Sequence, residues 1–259
     1  MSEVRRLVSR LHDIYRDLEP YDPADAVVEI SKMLFLKLVD ERLGWGRLNM
    51  GYVRAELSRH KGKKLKDVFD ELLRDAAAEH GLPRLDFNIR NELTLVKMTE
   101  VLQGVRIGDD LDVLGNAYEE ILQVLFRGQL GQFFTPRPII EFMVGLANVK
   151  PGDAVIDPFA GSCGMLIYAL KRSKGLKVRG VEKSPRICFV GRINLLLHDC
   201  DPKRLIAGDS FTYNGDRLAG AVRLGEWDVV ITNPPFGSKV RDDDKLREFR
   251  PVSYTHLRA

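Results

Sequence analysis

The pattern of apolar residues changes near residue 149, and this change constrains the fold more than any other feature of the sequence. Beyond it, four short runs rich in β-branched residues alternate with helical segments, an order typical of parallel strands joined by crossover helices. The strands are expected at residues 154–156, 177–181, 205–207 and 228–231. Helices are expected at residues 164–174 and 184–198, and Ser184 and Pro185 suit the start of the second. The sequence therefore predicts an α/β fold with a doubly wound, mostly parallel sheet.

Apolar residues before residue 108 recur at helical spacing, which predicts an all-helical N-terminal domain over residues 1–108. The second helix has clear end signals, because Asp22 can cap it, Pro23 suits its first turn and residues 44–46 (Gly-Trp-Gly) can end it. Four residues on one face of that helix are expected in the core: Val27, Ile30, Leu34 and Leu38. Another helix is expected at residues 110–127. The sheet domain is then expected at residues 109–250, with residues 251–259 as a possible non-native tail.

Composition excludes several classes of protein but identifies none. The net charge of +3 neither requires nor opposes a nucleic-acid partner. Three cysteines without a CxxC pair argue against a disulfide framework and fit a reducing cytoplasm. The five histidines show no ligand spacing with carboxylates, so no metal site is expected. Charged residues interrupt the most apolar stretch, residues 26–39, and no membrane span or signal peptide is expected.

Acidic residues and a glycine turn follow the first three expected strands. The first strand ends in Asp157-Pro158-Phe159-Ala160-Gly161-Ser162-Cys163-Gly164, where the glycines allow the backbone to turn and approach a ligand. Glu182 ends the second strand, 21 residues after Gly161, near the spacing at which an acid meets a ribose hydroxyl. Asp209, after the third strand, could accept a hydrogen bond from an adenine amino group. These residues indicate a nucleoside-containing cofactor, and a nicotinamide enzyme would show the same pattern.

The fourth expected strand runs into Asn233-Pro234-Pro235-Phe236, a stiff segment with few backbone donors. The Asn233 side-chain oxygen and the Pro234 carbonyl can both accept hydrogen bonds from one amino group. An adenine amino nitrogen is a poor nucleophile, and two fixed acceptors would stabilise the positive charge that grows on it during attack on a sulfonium methyl group. Phe236 offers a face on which an extruded base can stack. Cytosine C5 methylation is disfavoured, because no cysteine follows a proline.

Upstream of the sheet, Gly131-Gln132-Phe133-Phe134-Thr135-Pro136-Arg137 closely resembles the segment before the catalytic sheet in modification subunits of type I restriction-modification systems. The resemblance continues through five further segments: Asp157-Pro158, the loop Gly161-Ser162-Cys163-Gly164, Glu182, the helix end from Asn194 to His198, and Asn233-Pro234-Pro235-Phe236. It implies a Rossmann-like methyltransferase sheet, S-adenosylmethionine as the cofactor, and transfer of a methyl group to the N6 amino group of adenine in DNA.

The resemblance also implies roles for individual residues. The cofactor would be bound by Gln132, Phe133, Phe134, Thr135, Pro136, Arg137, Asp157, Gly161, Ser162, Cys163, Gly164, Glu182 and Asp209. Residues 132–137 would surround its methionine end, and Glu182 would hold its ribose. The catalytic residues would be Asn233, Pro234, Pro235 and Phe236. The family commonly has glycine where Cys163 stands, and this cysteine is interpreted as a small filler and not a nucleophile.

By the same resemblance, a separate specificity subunit would choose the DNA sequence, and a motor and nuclease subunit would be needed for cleavage. The helical N-terminal domain would be the docking surface. Two alternatives stay open at this point. One is amino methylation of RNA or of protein glutamine, although residues 131–137 speak against it. The other is a non-catalytic assembly fragment, because only 23 residues follow Phe236 and a complete sheet of this class needs further strands.

Overall fold

The computed structural model describes residues 3–107, 135–210 and 227–234, together with Gly115, Tyr118, Glu119 and Leu122. Within these residues, eight α-helices and four strands have defined bounds. The helices are α1 (Glu3–Leu18), α2 (Pro23–Arg42), α3 (Met50–Arg59), α4 (Leu65–Glu79), α5 (Glu92–Gln103), α6 (Arg137–Ala147), α7 (Gly164–Arg172) and α8 (Pro185–Leu197). The strands are β1 (Ala154–Asp157), β2 (Lys177–Glu182), β3 (Leu205–Ala207) and β4 (Val229–Val230). In the part of the chain so described, no helix combines the length and apolar character needed to cross a membrane.

Helix α2 is the central element of the helical core. Asp22 caps it by accepting hydrogen bonds from the backbone N–H groups of Ala24 at 2.8 Å and Asp25 at 3.0 Å. Just beyond its end, Gly44 and Gly46 adopt left-handed φ angles of 63° and 61°. The predicted start and end of this helix are therefore confirmed. Its expected core face is buried in full, and so are most residues on its other sides.

The four strands form a parallel sheet in the order β3-β2-β1-β4. The chain moves outward from β1 to β3 and then returns to the other side of β1 for β4. The strand order thus reverses at β1, as a doubly wound sheet requires, and the predicted α/β fold is confirmed. The expected strand ends agree with the structure within one residue, and β4 is the shortest strand, at Val229–Val230. The largest end-point difference for the helices is at α7, which ends at Arg172 where residue 174 was expected.

Helix α8 contributes to two hydrophobic cores at once. Its side chains Ile187, Val190 and Ile193 are buried in the core formed by α1 to α5. Cys188 and Leu195, on another face, are buried against the sheet.

Two ion pairs connect the same parts of the chain: Arg186 with Asp25 at 2.9 Å, and Arg42 with Asp199 at 3.1 Å. The helix that follows β2 is therefore held by the helical region and by the sheet together.

The predicted domain limits, near residues 108 and 250, fall outside the described residues and remain predictions. Described residues beyond the first limit do contribute to the helical core. Tyr118 and Leu122 are buried in it, and the Tyr118 hydroxyl lies 2.5 Å from the Ser31 Oγ atom of α2. The helical core thus includes residues from both sides of the first limit.

Candidate functional site

The carboxyl ends of the four parallel strands bring four chain segments to one edge of the sheet. Asp157 and Glu182 are the last residues of β1 and β2, Asp209 follows β3 by two residues, and Asn233 follows β4 by three. The strand order reverses at β1, and open α/β sheets bind their ligands at the carboxyl edge beside such a reversal. The sequence-based expectation that the acidic residues share one edge agrees with this geometry.

Glu182 holds the turn after β1 and the start of α8 together. Its Oε2 atom accepts the Gly161 N–H at 3.1 Å, and its Oε1 atom accepts the Ser184 N–H at 2.7 Å. Gly161 has a left-handed φ of 53°, a conformation that glycine adopts without steric cost. Burial raises the pKa of the Glu182 carboxyl, although these backbone N–H groups act to lower it. The carboxylate therefore fixes the turn, and lone pairs on both oxygens stay available.

Asp157 connects the same turn to the segment that carries Asn233. Its buried Oδ1 atom accepts a hydrogen bond from the Thr232 hydroxyl at 2.7 Å and from the Phe159 N–H at 3.0 Å. Burial raises the pKa of Asp157 to about 6, and the two hydrogen bonds act in the opposite direction. The ends of β1 and β4 are thereby coupled through one side chain.

Replacing Asp157 with asparagine is expected to remove a pH-dependent loss of stability. The folded-state pKa of about 6 lies above the ordinary value of 3.8, so folding favours the protonated form. That contribution is complete below pH 3.8 and is lost as the pH rises through about 6. Asparagine keeps an oxygen that accepts from Thr232 and Phe159 but does not titrate.

The difference can be measured by urea unfolding of the two proteins. From about pH 4.5 to pH 7, the wild type should lose about 2 kcal/mol more unfolding free energy than Asp157→Asn. Other buried carboxyls are present in both proteins, so their titration cancels in the comparison. Identical pH profiles for the two proteins would show that Asp157 does not titrate in this range.

Asn233 contacts the segment upstream of the sheet. Its Nδ2 atom donates a hydrogen bond to the Thr135 Oγ1 atom at 3.1 Å. Because the amide nitrogen is used in this way, the Oδ1 atom remains as the acceptor of that side chain. Asn233 and Pro234 are both exposed at the sheet edge. Two parts of the resemblance that are 98 residues apart in the chain therefore meet at this hydrogen bond.

The structure also places the remaining expected site residues that it describes. Thr135 and Pro136 directly precede α6, and Arg137 is its first residue, with its guanidinium 5.3 Å from the centre of the Tyr168 ring.

Asp209 lies 3.0 Å from the Lys183 ammonium group. Its expected role as an adenine acceptor remains a prediction. The expected residues that lie outside the described part of the chain are Gln132, Phe133, Phe134, Pro235 and Phe236.

Ser162, Cys163 and Gly164 lead from the turn into α7. Cys163 is fully buried and has a left-handed φ of 69°, a conformation that costs energy for a residue with a Cβ atom. This geometry gives a physical reason for a glycine at the same position in the family. Burial also raises the pKa of the Cys163 thiol well above its ordinary value, which disfavours the nucleophilic thiolate. The geometry supports the interpretation of Cys163 as a filler.

Two residues of α8 support the turn and were not predicted as site residues. The Asn194 Nδ2 atom donates a hydrogen bond to the Ser162 carbonyl at 2.9 Å. Gly191 packs so closely that a Cβ atom there would lie 2.7 Å from the Gly161 carbonyl oxygen. A glycine and an asparagine within a mostly apolar helix were the sequence signals that could have identified them.

Comparisons with known proteins agree with this geometry. Residues 109–256, more than half of the chain, match the family model described as N-6 DNA methylase. The type I restriction enzyme StySPI methylase subunit of Salmonella potsdam is 29% identical over 267 residues, which cover 89% of this chain and 50% of that protein. The EcoEI methylase subunit of Escherichia coli is 32% identical over 148 residues, which cover 50% of this chain and 29% of that protein. The chain thus spans half or less of the length of these curated relatives.

A solved structure shows the same fold. The type I restriction-modification system methyltransferase subunit from Streptococcus thermophilus superposes on the chain with a TM-score of 0.63. The superposition covers 91% of this chain and 64% of that one, at 17% sequence identity. At this identity the likeness concerns the fold, and it extends over the helical region as well as the sheet.

Proposed function

Because the chain belongs to the N-6 DNA methylase family, we propose that it is the methyltransferase part of a type I modification subunit. Its reaction is the transfer of a methyl group from S-adenosylmethionine to the N6 amino group of adenine in DNA. The observation that carries the proposal is the hydrogen bond between Asn233 and Thr135. It joins the segment implied to bind the cofactor to the segment implied to bind the target base.

The residues present fit S-adenosylmethionine. Glu182 accepts backbone N–H groups on both of its oxygens, and a carboxylate can accept about four hydrogen bonds in total, so acceptor capacity remains for the hydroxyls of a ribose. Gly161 and Gly164 bring backbone without side chains to the same edge. When bound, the cofactor supplies a methyl group on a sulfonium.

The protein's own contribution is to hold and polarise the adenine amino group. The Asn233 Oδ1 atom and the Pro234 carbonyl accept its two hydrogens, and their dipoles stabilise the positive charge that develops on nitrogen. The Thr135 hydroxyl accepts from the Asn233 Nδ2 atom, so the amide oxygen, and not its NH2 group, is presented to the base. No covalent intermediate with the protein is required. Phe236 is proposed as the stacking surface for the extruded base.

The partners belong to the same proposal. A specificity subunit selects the DNA sequence, and a motor and nuclease subunit is needed for cleavage. The two curated relatives described above are methylase subunits of type I restriction enzymes, which supports an assembly of this kind. The exposed surface of helices α1 to α5 is proposed as the docking surface, by analogy with the family.

The proposal is tested by following tritium from labelled S-adenosylmethionine. The chain is purified together with a type I specificity subunit and offered plasmid DNA, ribosomal RNA and a peptide-chain release factor. Tritium is expected in DNA alone, recovered as N6-methyladenine after enzymatic digestion. Labelling of RNA or release factor would support the amino methyltransferase alternative. Calorimetric binding of the cofactor without any transfer would support an assembly fragment.

A further inference from the structure

A buried carboxylate, Glu119, lies directly behind the turn after β1. Its side chain is 8% exposed, and its Oε1 atom is 3.5 Å from the Asn194 Nδ2 atom. The same Nδ2 atom donates to the Ser162 carbonyl. One side chain therefore separates this carboxylate from the turn that approaches the cofactor.

Glu119 is not neutralised by the protein residues that the structure describes. Among the described side chains of residues 6–107, 135–210 and 227–234, no Lys or Arg nitrogen lies within ion-pair distance of its oxygens. Burial raises the pKa of Glu119, and the charges of Lys171 and Arg137 act to lower it from farther away. An ionised carboxylate in such a place is costly unless a cation reaches it.

Asn194 gives a second and independent sign that a donor is missing. The residue is fully buried, and among the described residues its Oδ1 atom has no hydrogen-bond partner. The amide cannot be turned around, because its Nδ2 atom faces two acceptors, the Ser162 carbonyl and the Glu119 carboxylate. A buried acceptor without a donor is rare in folded proteins. The cluster therefore contains a buried carboxyl group and an amide oxygen without a described donor, and both can accept hydrogen bonds from N–H groups.

The chemistry of this cluster fits the amino-acid end of the cofactor. An α-ammonium group carries one positive charge and three N–H donors, which match a carboxylate and an amide oxygen. Arg137 begins α6, in the segment expected to surround the methionine end, and its positive charge acts on Glu119. An arginine that binds the carboxylate group and a glutamate that binds the ammonium group can together recognise both ends of an amino-acid zwitterion. We propose that Glu119 accepts the α-ammonium group of S-adenosylmethionine, an inference that rests on the proposed function.

The test compares two ligands by titration calorimetry on the intact protein. S-adenosylmethionine has the amino-acid end, whereas 5′-methylthioadenosine has the same adenosine but lacks it. Glu119→Gln keeps the size of the side chain and one acceptor oxygen but removes the charge. It should weaken S-adenosylmethionine binding at least about tenfold and change 5′-methylthioadenosine binding less than about twofold.

The control is Glu100→Gln, the same substitution at an exposed position of α5, which should leave both affinities unchanged. Thermal unfolding of each variant verifies that it is folded. Should Glu119→Gln fail to fold, Glu119→Asp is the second variant. It keeps the negative charge on a shorter side chain, and it should again weaken the binding of S-adenosylmethionine only.

If Glu119→Gln weakened the binding of both ligands equally, the inference would be overturned, because Glu119 would then only support the turn. Unchanged affinity for both ligands would overturn it as well. A wild-type protein that binds neither ligand would instead contradict the proposed function, so the two failures can be told apart.

Discussion

Replacing Asn233 with alanine is expected to lower the rate of methyl transfer to DNA by at least about a hundredfold, since a preorganised polar group at the reacting centre typically contributes that much. The affinity for S-adenosylmethionine should change less than about twofold. Asn233 is exposed and hydrogen-bonded to Thr135, and none of its described hydrogen bonds reaches the turn after β1. The loss should therefore appear in the rate and not in cofactor binding.

Single-turnover transfer of tritium to DNA measures the rate, and calorimetry measures the affinity. Thr135 offers a matched pair of variants for the same hydrogen bond. Thr135→Val removes the acceptor of the Asn233 amide and should lower the rate by about tenfold, whereas Thr135→Ser keeps the hydroxyl and should stay close to the wild type. Transfer at the wild-type rate by Asn233→Ala would remove Asn233 from the catalytic machinery.

The second large effect concerns Gly191, in the middle of α8. A Cβ atom at this position would lie 2.7 Å from the Gly161 carbonyl oxygen and 2.7 Å from the Leu205 Cδ2 atom. The first of these is a backbone atom that the Glu182 carboxylate holds in place through the Gly161 N–H. We expect Gly191→Ala to lower the unfolding free energy by about 3 kcal/mol, at the upper end for an overpacked site, and to weaken cofactor binding.

Gly145, in α6, is the control for this prediction. It is also a helical glycine, but nothing lies within 4 Å of the Cβ atom that alanine would add. Gly145→Ala should therefore stabilise the protein by roughly 0.4–1 kcal/mol through helix propensity and the unfolded state. Urea unfolding of both variants gives the comparison. Similar stabilisation by the two substitutions would mean that α8 does not pack closely against the turn.

Local signals were sufficient for much of the fold. Asp22 and Pro23 predicted the start of α2, because an N-cap and a first-turn proline act within a few residues of each other. The meeting of Asp157 and Glu182 at one edge followed from parallel strands alone, since their carboxyl ends lie on the same side of a sheet. The spacing of 21 residues between Gly161 and Glu182 predicted a ribose-binding acid, which remains a prediction, and it did not predict that Glu182 accepts the Gly161 N–H at 3.1 Å.

Contacts between distant segments could not be predicted in this way. The hydrogen bond from Asn233 to Thr135 joins residues 98 positions apart, and no local pattern specifies it. Glu119 belonged to a stretch expected to be an ordinary amphipathic helix, and only its packing against Asn194 distinguishes it. The adenine contact expected for Asp209 remains a prediction, and its ion pair with Lys183 depends on the side-by-side placement of β2 and β3. These contacts arise from tertiary packing, and sequence periodicity predicts only the helices and strands and not the contacts between them.

The shared position of α8 has a consequence for how the molecule can be divided. If the sheet were produced without α1 to α5, water would meet Ile187, Val190 and Ile193, each of which contributes roughly 1.5–3 kcal/mol when buried. Helix α8 would then lose the packing contacts that hold Gly191 and Asn194 against the turn after β1. A truncated protein would thus be damaged first at the turn after β1.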